Sequence, residues 1–130
     1  MKFDLAELNP GTWFEIEDAR VCLRICAGKD LDEIHKKTRK LQIEYKRGQR
    51  FEWEAIDTDK EFTMVNDFIV MDWENICDAT GTPLECNQKN KNKLLRESPM
   101  FSGFIGRCLE RLNTDIGAIK EEEEKNSSSG

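Results

Sequence analysis

The apolar residues of this chain change period partway along it, from two to about 3.6, and a chain patterned that way has to pack a sheet against helices. Trp13, Phe14 and Ile16, then Val21, Leu23 and Ile25, flank a polar Glu17-Asp18 turn. That pattern predicts a β-hairpin ending at Ala27-Gly28. Further on, Leu41, Ile43 and Tyr45 alternate with Gln42, Glu44 and Lys46, and beyond Arg47-Gly48-Gln49 the residues Phe51, Trp53 and Ala55 alternate with glutamates. Two strands around a glycine-containing turn fit this stretch. Between the pairs, Asp30 with Glu33 forms a capping box, and Leu31, Ile34, Thr38 and Leu41 follow at helical spacing. The reading is a small antiparallel sheet of three or four strands, interrupted by one short helix.

From residue 58 the spacing is helical. Thr58 with Glu61 forms a second capping box, and Phe62, Val65, Ile69 and Trp73 share one face of a helix expected to end near Asp72 to Asn75. A loop follows, with a turn at Thr80-Gly81 and Pro83 delaying the next helix. Asn87 is the expected cap of a helix carrying Leu94 and Leu95, and Ser98-Pro99 the cap and first residue of the last one. Phe101, Phe104, Ile105, Cys108, Leu109 and Leu112 then make the cleanest amphipathic stripe in the chain, which serves either core packing or association with another surface. The fold class is therefore α+β. One domain is expected over residues 1–114, strand-rich over 13–57 and helical over 58–113, behind a loose leading segment with an Asn9-Pro10-Gly11 turn. Residues 115–130, with four adjacent glutamates followed by serines and glycine, are expected to form a disordered acidic tail.

Size and charge narrow the function. A chain of 130 residues buries enough surface for one core without staples. No apolar run approaches the roughly 18 residues of a membrane span, and two acids among the first seven residues are unlike a signal peptide, so a cytosolic, membrane-free protein is expected. The net charge of −6 weighs against binding of duplex DNA or anionic lipid. That charge is uneven. Seven basic residues, Lys36, Lys37, Arg39, Lys40, Lys46, Arg47 and Arg50, stand against Glu44 alone between His35 and Arg50, leaving −12 on the rest. The bland reading is a solvated helix and turn. The functional readings are docking of an acidic protein, another copy included, through Lys36, Lys37, Arg39, Lys40, Arg47 and Arg50, or an RNA-binding or regulatory module using 36–50 with Tyr45, Phe51 and Trp53 as stacking surfaces.

Chemistry-bearing patterns are sparse. Five cysteines, Cys22, Cys26, Cys77, Cys86 and Cys108, occur without a C-x-x-C or H-x₃-H spacing, so reduced thiols and no metal or other cofactor are expected. His35 reads as a solvated surface residue. No phosphate-cradling glycine loop, nucleophile elbow or H-E-x-x-H is present. Asp57, Asp59 and Glu61 have the first spacings of a calcium loop but neither its glycine nor its distal glutamate, and they fit better as acids at a helix start. No catalytic residue is expected.

The run Asp72-Trp73-Glu74, a polar loop with Gly81-Thr82-Pro83-Leu84-Glu85-Cys86, Asn90-Lys91-Asn92-Lys93-Leu94-Leu95, and Pro99-Met100-Phe101-Ser102-Gly103-Phe104-Ile105 resembles the tail assembly chaperones of long-tailed, non-contractile bacteriophages and prophages. The resemblance is densest from Phe68 to Leu112 and is carried by order and spacing, with Asp72, Trp73, Gly81, Pro83, Lys93, Leu94, Pro99 and Phe101 as its motif positions. It implies a non-enzymatic morphogenesis factor of the host cytoplasm that binds the tape measure protein, supports tail tube polymerisation and is absent from the mature virion. It also implies a minor frameshifted product whose extension recruits the tail tube protein. Glu124-Lys125-Asn126 can be encoded as GAA-AAA-AAC, which contains a slippery heptamer, so Lys125-Asn126 is the expected frameshift position. Other codons there, or a closed minus-one frame beyond them, would exclude it. Many copies along a tape measure would call for weak, salt-sensitive self-association into homo-oligomers through a heterologous interface, with Phe101, Phe104, Ile105, Leu109 and the basic segment as candidate faces.

Overall fold

The computed structural model describes residues 10–128, with side chains to residue 113. Strands β1 (Thr12–Ile16) and β2 (Ala19–Leu23) form the expected hairpin, closed by Glu17-Asp18 with Ile16 opposite Ala19. The strands stop at Leu23, short of Ala27-Gly28. Helix α1 (Gly28–Thr38) starts two residues before the expected Asp30, with Ala27 at its N-cap position and no side-chain cap. It also ends before Leu41, because Arg39 is already extended and opens the next strand. Strands β3 (Arg39–Lys46) and β4 (Gln49–Ile56) pair along their whole length around Arg47-Gly48.

Helix α2 (Thr58–Ile69) is capped by Asp57, whose carboxylate accepts the Lys60 N–H at 3.2 Å. The cap therefore lies one residue before the Thr58 of the expected capping box, which frees Glu61 for other partners. Helix α3 (Gln88–Glu97) is capped by Asn87 as expected, its side chain accepting from the Asn90 N–H at 2.9 Å. Ser98 Oγ accepts the Phe101 N–H at 3.2 Å and Pro99 opens helix α4 (Pro99–Ser128), again as expected.

Two expectations about the sheet are corrected. Residues 70–74 do not extend α2; they form β5 (Val70–Glu74), which pairs antiparallel with β2 and completes a three-stranded sheet in the order β1-β2-β5. The helical half of the chain thus supplies one strand. The cause is a β-bulge. Trp73 lies opposite Val21 and Val70 opposite Leu23, but Met71 has no opposite residue because the register shifts between Cys22 and Leu23. An extra residue in one strand spaces the two inward side chains by three, which in sequence imitates a helix. The other correction is that β3 and β4 do not join this sheet; they stand apart as a two-stranded ribbon.

Met71 also explains Gly11. The glycine has a φ of +88°, and a Cβ there would lie 2.5 Å from Met71 Sδ and 2.9 Å from Cys22 Sγ. The left-handed turn into β1 favours glycine, and a side chain there would also have to displace Met71 and Cys22.

The core is the inward face of β2 and β5 covered by α4: Val21, Leu23, Val70, Trp73, Phe101, Ile105 and Cys108, with Ile69 from the end of α2. The rings of Trp73 and Phe101 meet edge to face at 6.1 Å and 87°, a favoured aromatic geometry. The backbone of α4 is helical through 115–128 too, where a disordered tail is expected. The Ala118 to Lys125 stretch is dominated by good helix formers, and a helix already nucleated at Pro99 extends through them without a second nucleation cost. The first nine positions of the expected leading segment, and Ser129-Gly130, lie outside the described residues, and for Lys125 and Asn126 only the backbone is described.

Candidate protein-binding ribbon

The ribbon begins where α1 ends and finishes where α2 begins. Its root is closed by a backbone hydrogen bond from the Asp57 N–H to the Thr38 carbonyl, 2.8 Å. Its tip is a two-residue turn with Arg47 at φ +51° and Gly48 at φ +76°. Two left-handed residues in succession make the type I′ turn, whose twist suits a tight hairpin.

Glu61 sets the ribbon's direction. Its Oε1 accepts Arg39 Nε at 2.8 Å and Thr38 Oγ1 at 3.3 Å, and lies 3.3 Å from His35 Nε2. Arg39 Nη1 also reaches Glu54 Oε1 at 3.2 Å, so one guanidinium ties both strands to α2. The hydrogen bond from Arg39 holds the Glu61 carboxyl below its ordinary value and raises the guanidinium's. His35, expected to be a solvated residue, belongs to this cluster.

Cross-strand pairing sorts the side chains into two faces. One face carries Leu41, Ile43 and Tyr45 from β3 beside Glu54, Glu52 and Arg50 from β4. The other carries Trp53 and Phe51 from β4 beside Gln42 and Glu44 from β3, with Lys40 and Lys46 towards its ends. Leu41, Ile43, Tyr45, Phe51, Trp53 and Ile56 are all exposed, Leu41 at 62% and Tyr45 at 70%. Four of them, Ile56 included, lie on the first face and two on the second. No other pair of elements of the described residues leaves so many large apolar side chains in water, and exposed apolar patches mark binding surfaces.

The pairing also changes the meaning of the basic segment. Residues 39–56 contain five basic and three acidic side chains, because β4 adds Glu52 and Glu54 opposite β3. Arg50 Nη2 lies 2.6 Å from Glu52, Lys46 Nζ 3.5 Å from Glu44, and Arg39 is engaged at the root. Lys36, Lys37, Lys40 and Arg47 are exposed on the C-terminal end of α1, the start of β3 and the turn. Arg39, Lys40, Lys46, Arg47 and Arg50 are therefore brought onto one protrusion as a mixed-charge surface, with Lys36 and Lys37 beside its root on α1.

The amphipathic stripe of α4 is used for packing. Phe101 and Ile105 are buried, and Phe104 and Leu109 are half-buried against the same cluster. The motif positions are also largely architectural. Trp73 Nε1 donates to the Leu84 carbonyl at 2.8 Å, pinning the loop that holds Gly81 and Pro83. Gly81 sits at φ +85° in a turn where Asp78 Oδ1 accepts from Thr80 and Thr82, and Pro83 bridges Cys77. Asp72 Oδ1 accepts the Trp73 N–H at 2.8 Å. Leu94 packs on the core, Pro99 starts α4, and Lys93 is exposed. Lys91, within the motif but not singled out from sequence, is 7% exposed with its Nζ 3.1 Å from Asp67 Oδ1, bolting α3 to α2. Helical periodicity carries no signal for such a contact.

The five cysteines are free, and no cluster able to hold a metal ion occurs among the described residues. Burial is the main cause that raises the thiol values of Cys22, Cys26, Cys86 and Cys108, whereas Cys77 is exposed. A mild alkylating reagent at neutral pH is expected to label Cys77 first, with Cys22 and Cys108 slowest, which mass spectrometry of partially labelled protein would check. No helix of the described residues is long and apolar enough to cross a membrane. Comparison of the chain with protein-family models, curated proteins and solved structures gives no match.

Proposed function

We propose that this chain is a non-enzymatic assembly factor, a tail assembly chaperone of a long-tailed phage or prophage, acting in the host cytoplasm on the tape measure protein. The observation that carries the reading is the ribbon, two eight-residue strands that leave six large apolar side chains in water. A soluble chain keeps such a surface when a partner covers it. Tyr45, Phe51 and Trp53 include the residue types that most often anchor protein interfaces. A tape measure protein, long, helical and apolar before the tube encloses it, is the kind of partner that needs covering.

The resemblance in order and spacing from Asp72 to Phe101 is what supports that family. The function adds the remaining expectations: a longer frameshifted product that recruits the tail tube protein, and absence from the finished virion. Mixed charge on the ribbon, with Arg39, Lys46 and Arg50 already engaged by carboxylates, weighs against the alternative of a nucleic-acid-binding module on 36–50.

Co-expression tests the proposal. The product of a neighbouring, very long, helix-rich gene is expected to be insoluble alone and to copurify with this chain when both are made together. A tape measure product that stays insoluble with this chain present, or a short RNA that shifts in a gel at modest salt, would count against it.

A further inference from the structure

We propose that the open edge of β3 is an association site for a second copy of this chain, the two β3 strands pairing antiparallel about a two-fold axis at Gln42. A two-stranded hairpin is marginal in water, and three or more strands are the usual remedy. Here both edges are open among the described residues, where β3 and β4 pair only with each other.

The edges differ in what they offer. The two-residue turn makes Lys46 and Gln49 a hydrogen-bonded pair, and such pairs alternate along an antiparallel ladder. The backbone N–H and C=O groups of Tyr45, Ile43 and Leu41 therefore point away from β4, toward the open edge. Charge then selects between β3 and β4. Two-fold pairing over the full length of β4 must centre on Glu52 or Trp53, and sets Glu52 opposite Glu52 or Glu54 of the second copy. Like charges directly opposite destabilise a pair, so β4 is an edge defended against pairing. On β3, the register centred on Gln42 sets Leu41 opposite Ile43 of the second copy and Lys40 opposite Glu44 of the second copy. Symmetry makes each of those pairs twice, and no like charges face each other.

Such an isologous contact closes at two copies. It is therefore a closed pair, whatever further copies a tape measure would gather. The inference stands apart from the proposed function, because the dimer needs no tape measure protein to form.

Sedimentation equilibrium of the full chain tests it. The wild type is expected to dimerise reversibly and more weakly at high salt. Lys40→Glu and Glu44→Lys, each creating two like-charged pairs, are expected to weaken the dimer about tenfold. The double variant Lys40→Glu/Glu44→Lys is expected to restore it, whereas Arg50→Glu on β4, which keeps that edge defended, leaves it unchanged. A chain monomeric at every concentration at low salt would overturn the proposal. So would a dimer indifferent to both single variants, one weakened equally by Arg50→Glu, or assemblies that keep growing with concentration.

Discussion

Trp73→Ala is expected to lower the unfolding free energy by about 3–5 kcal/mol, the range for truncating a large buried aromatic. Three separate losses meet at this residue. The indole is 6% exposed inside the core cluster, its edge-to-face contact with Phe101 disappears, and the Leu84 carbonyl loses its Nε1–H donor. The last loss loosens the 75–87 loop, whose return to β5 also rests on the Leu84 N–H to Ile76 carbonyl bond. A melting temperature lower by roughly 10–20 °C follows for a domain of this size. The contrasting substitution is Trp53→Ala on the ribbon, where the ring is exposed at 46% and a change within about 0.5 kcal/mol is expected. Urea denaturation of both variants checks the pair. Equal costs would mean that the ribbon belongs to the core.

Excising the ribbon is expected to leave the rest folded and to remove partner binding. Thr38 and Asp57 are already joined by a 2.8 Å backbone hydrogen bond, so a short glycine-serine turn can replace residues 40–55 without stretching the chain. The core cluster draws nothing from residues 40–55, and the Glu61 contacts with Arg39, Thr38 and His35 all survive the excision. The shortened chain is therefore expected to unfold cooperatively within a few degrees of the wild type. Loss of cooperative unfolding would show that the ribbon braces α1 against α2.

What the sequence made legible was local. The Glu17-Asp18 hairpin, the Arg47-Gly48 turn, the Asn87 cap and the Ser98-Pro99 start each depend on residues within a few positions of one another, and each is found where it was expected. The strand β5 was hidden because the bulge at Met71 spaces Val70 and Trp73 like neighbours on a helix. Nothing in the alternation of residues 41–55 says whether two strands extend an existing sheet or stand alone, since that choice rests on which other edge is free. Glu52 and Glu54 lie beyond the basic segment in sequence, and only the fold sets them beside the basic strand. The α4 stripe was legible as a stripe, and only the sheet beneath it shows that Phe101 and Ile105 are covered. For the candidate site, the apolar residues of the ribbon were visible in sequence as strand residues; their exposure was not, because alternation describes a face and not what lies against it.

The central claim is that the ribbon, and not the α4 stripe, meets the partner. The direct measurement is the affinity of a soluble tape measure fragment for the whole chain and for the chain with residues 40–55 excised, by isothermal titration calorimetry. Binding by the whole chain and its loss in the excised but still cooperatively folding chain is the predicted result. Equal affinity of the two chains would contradict it.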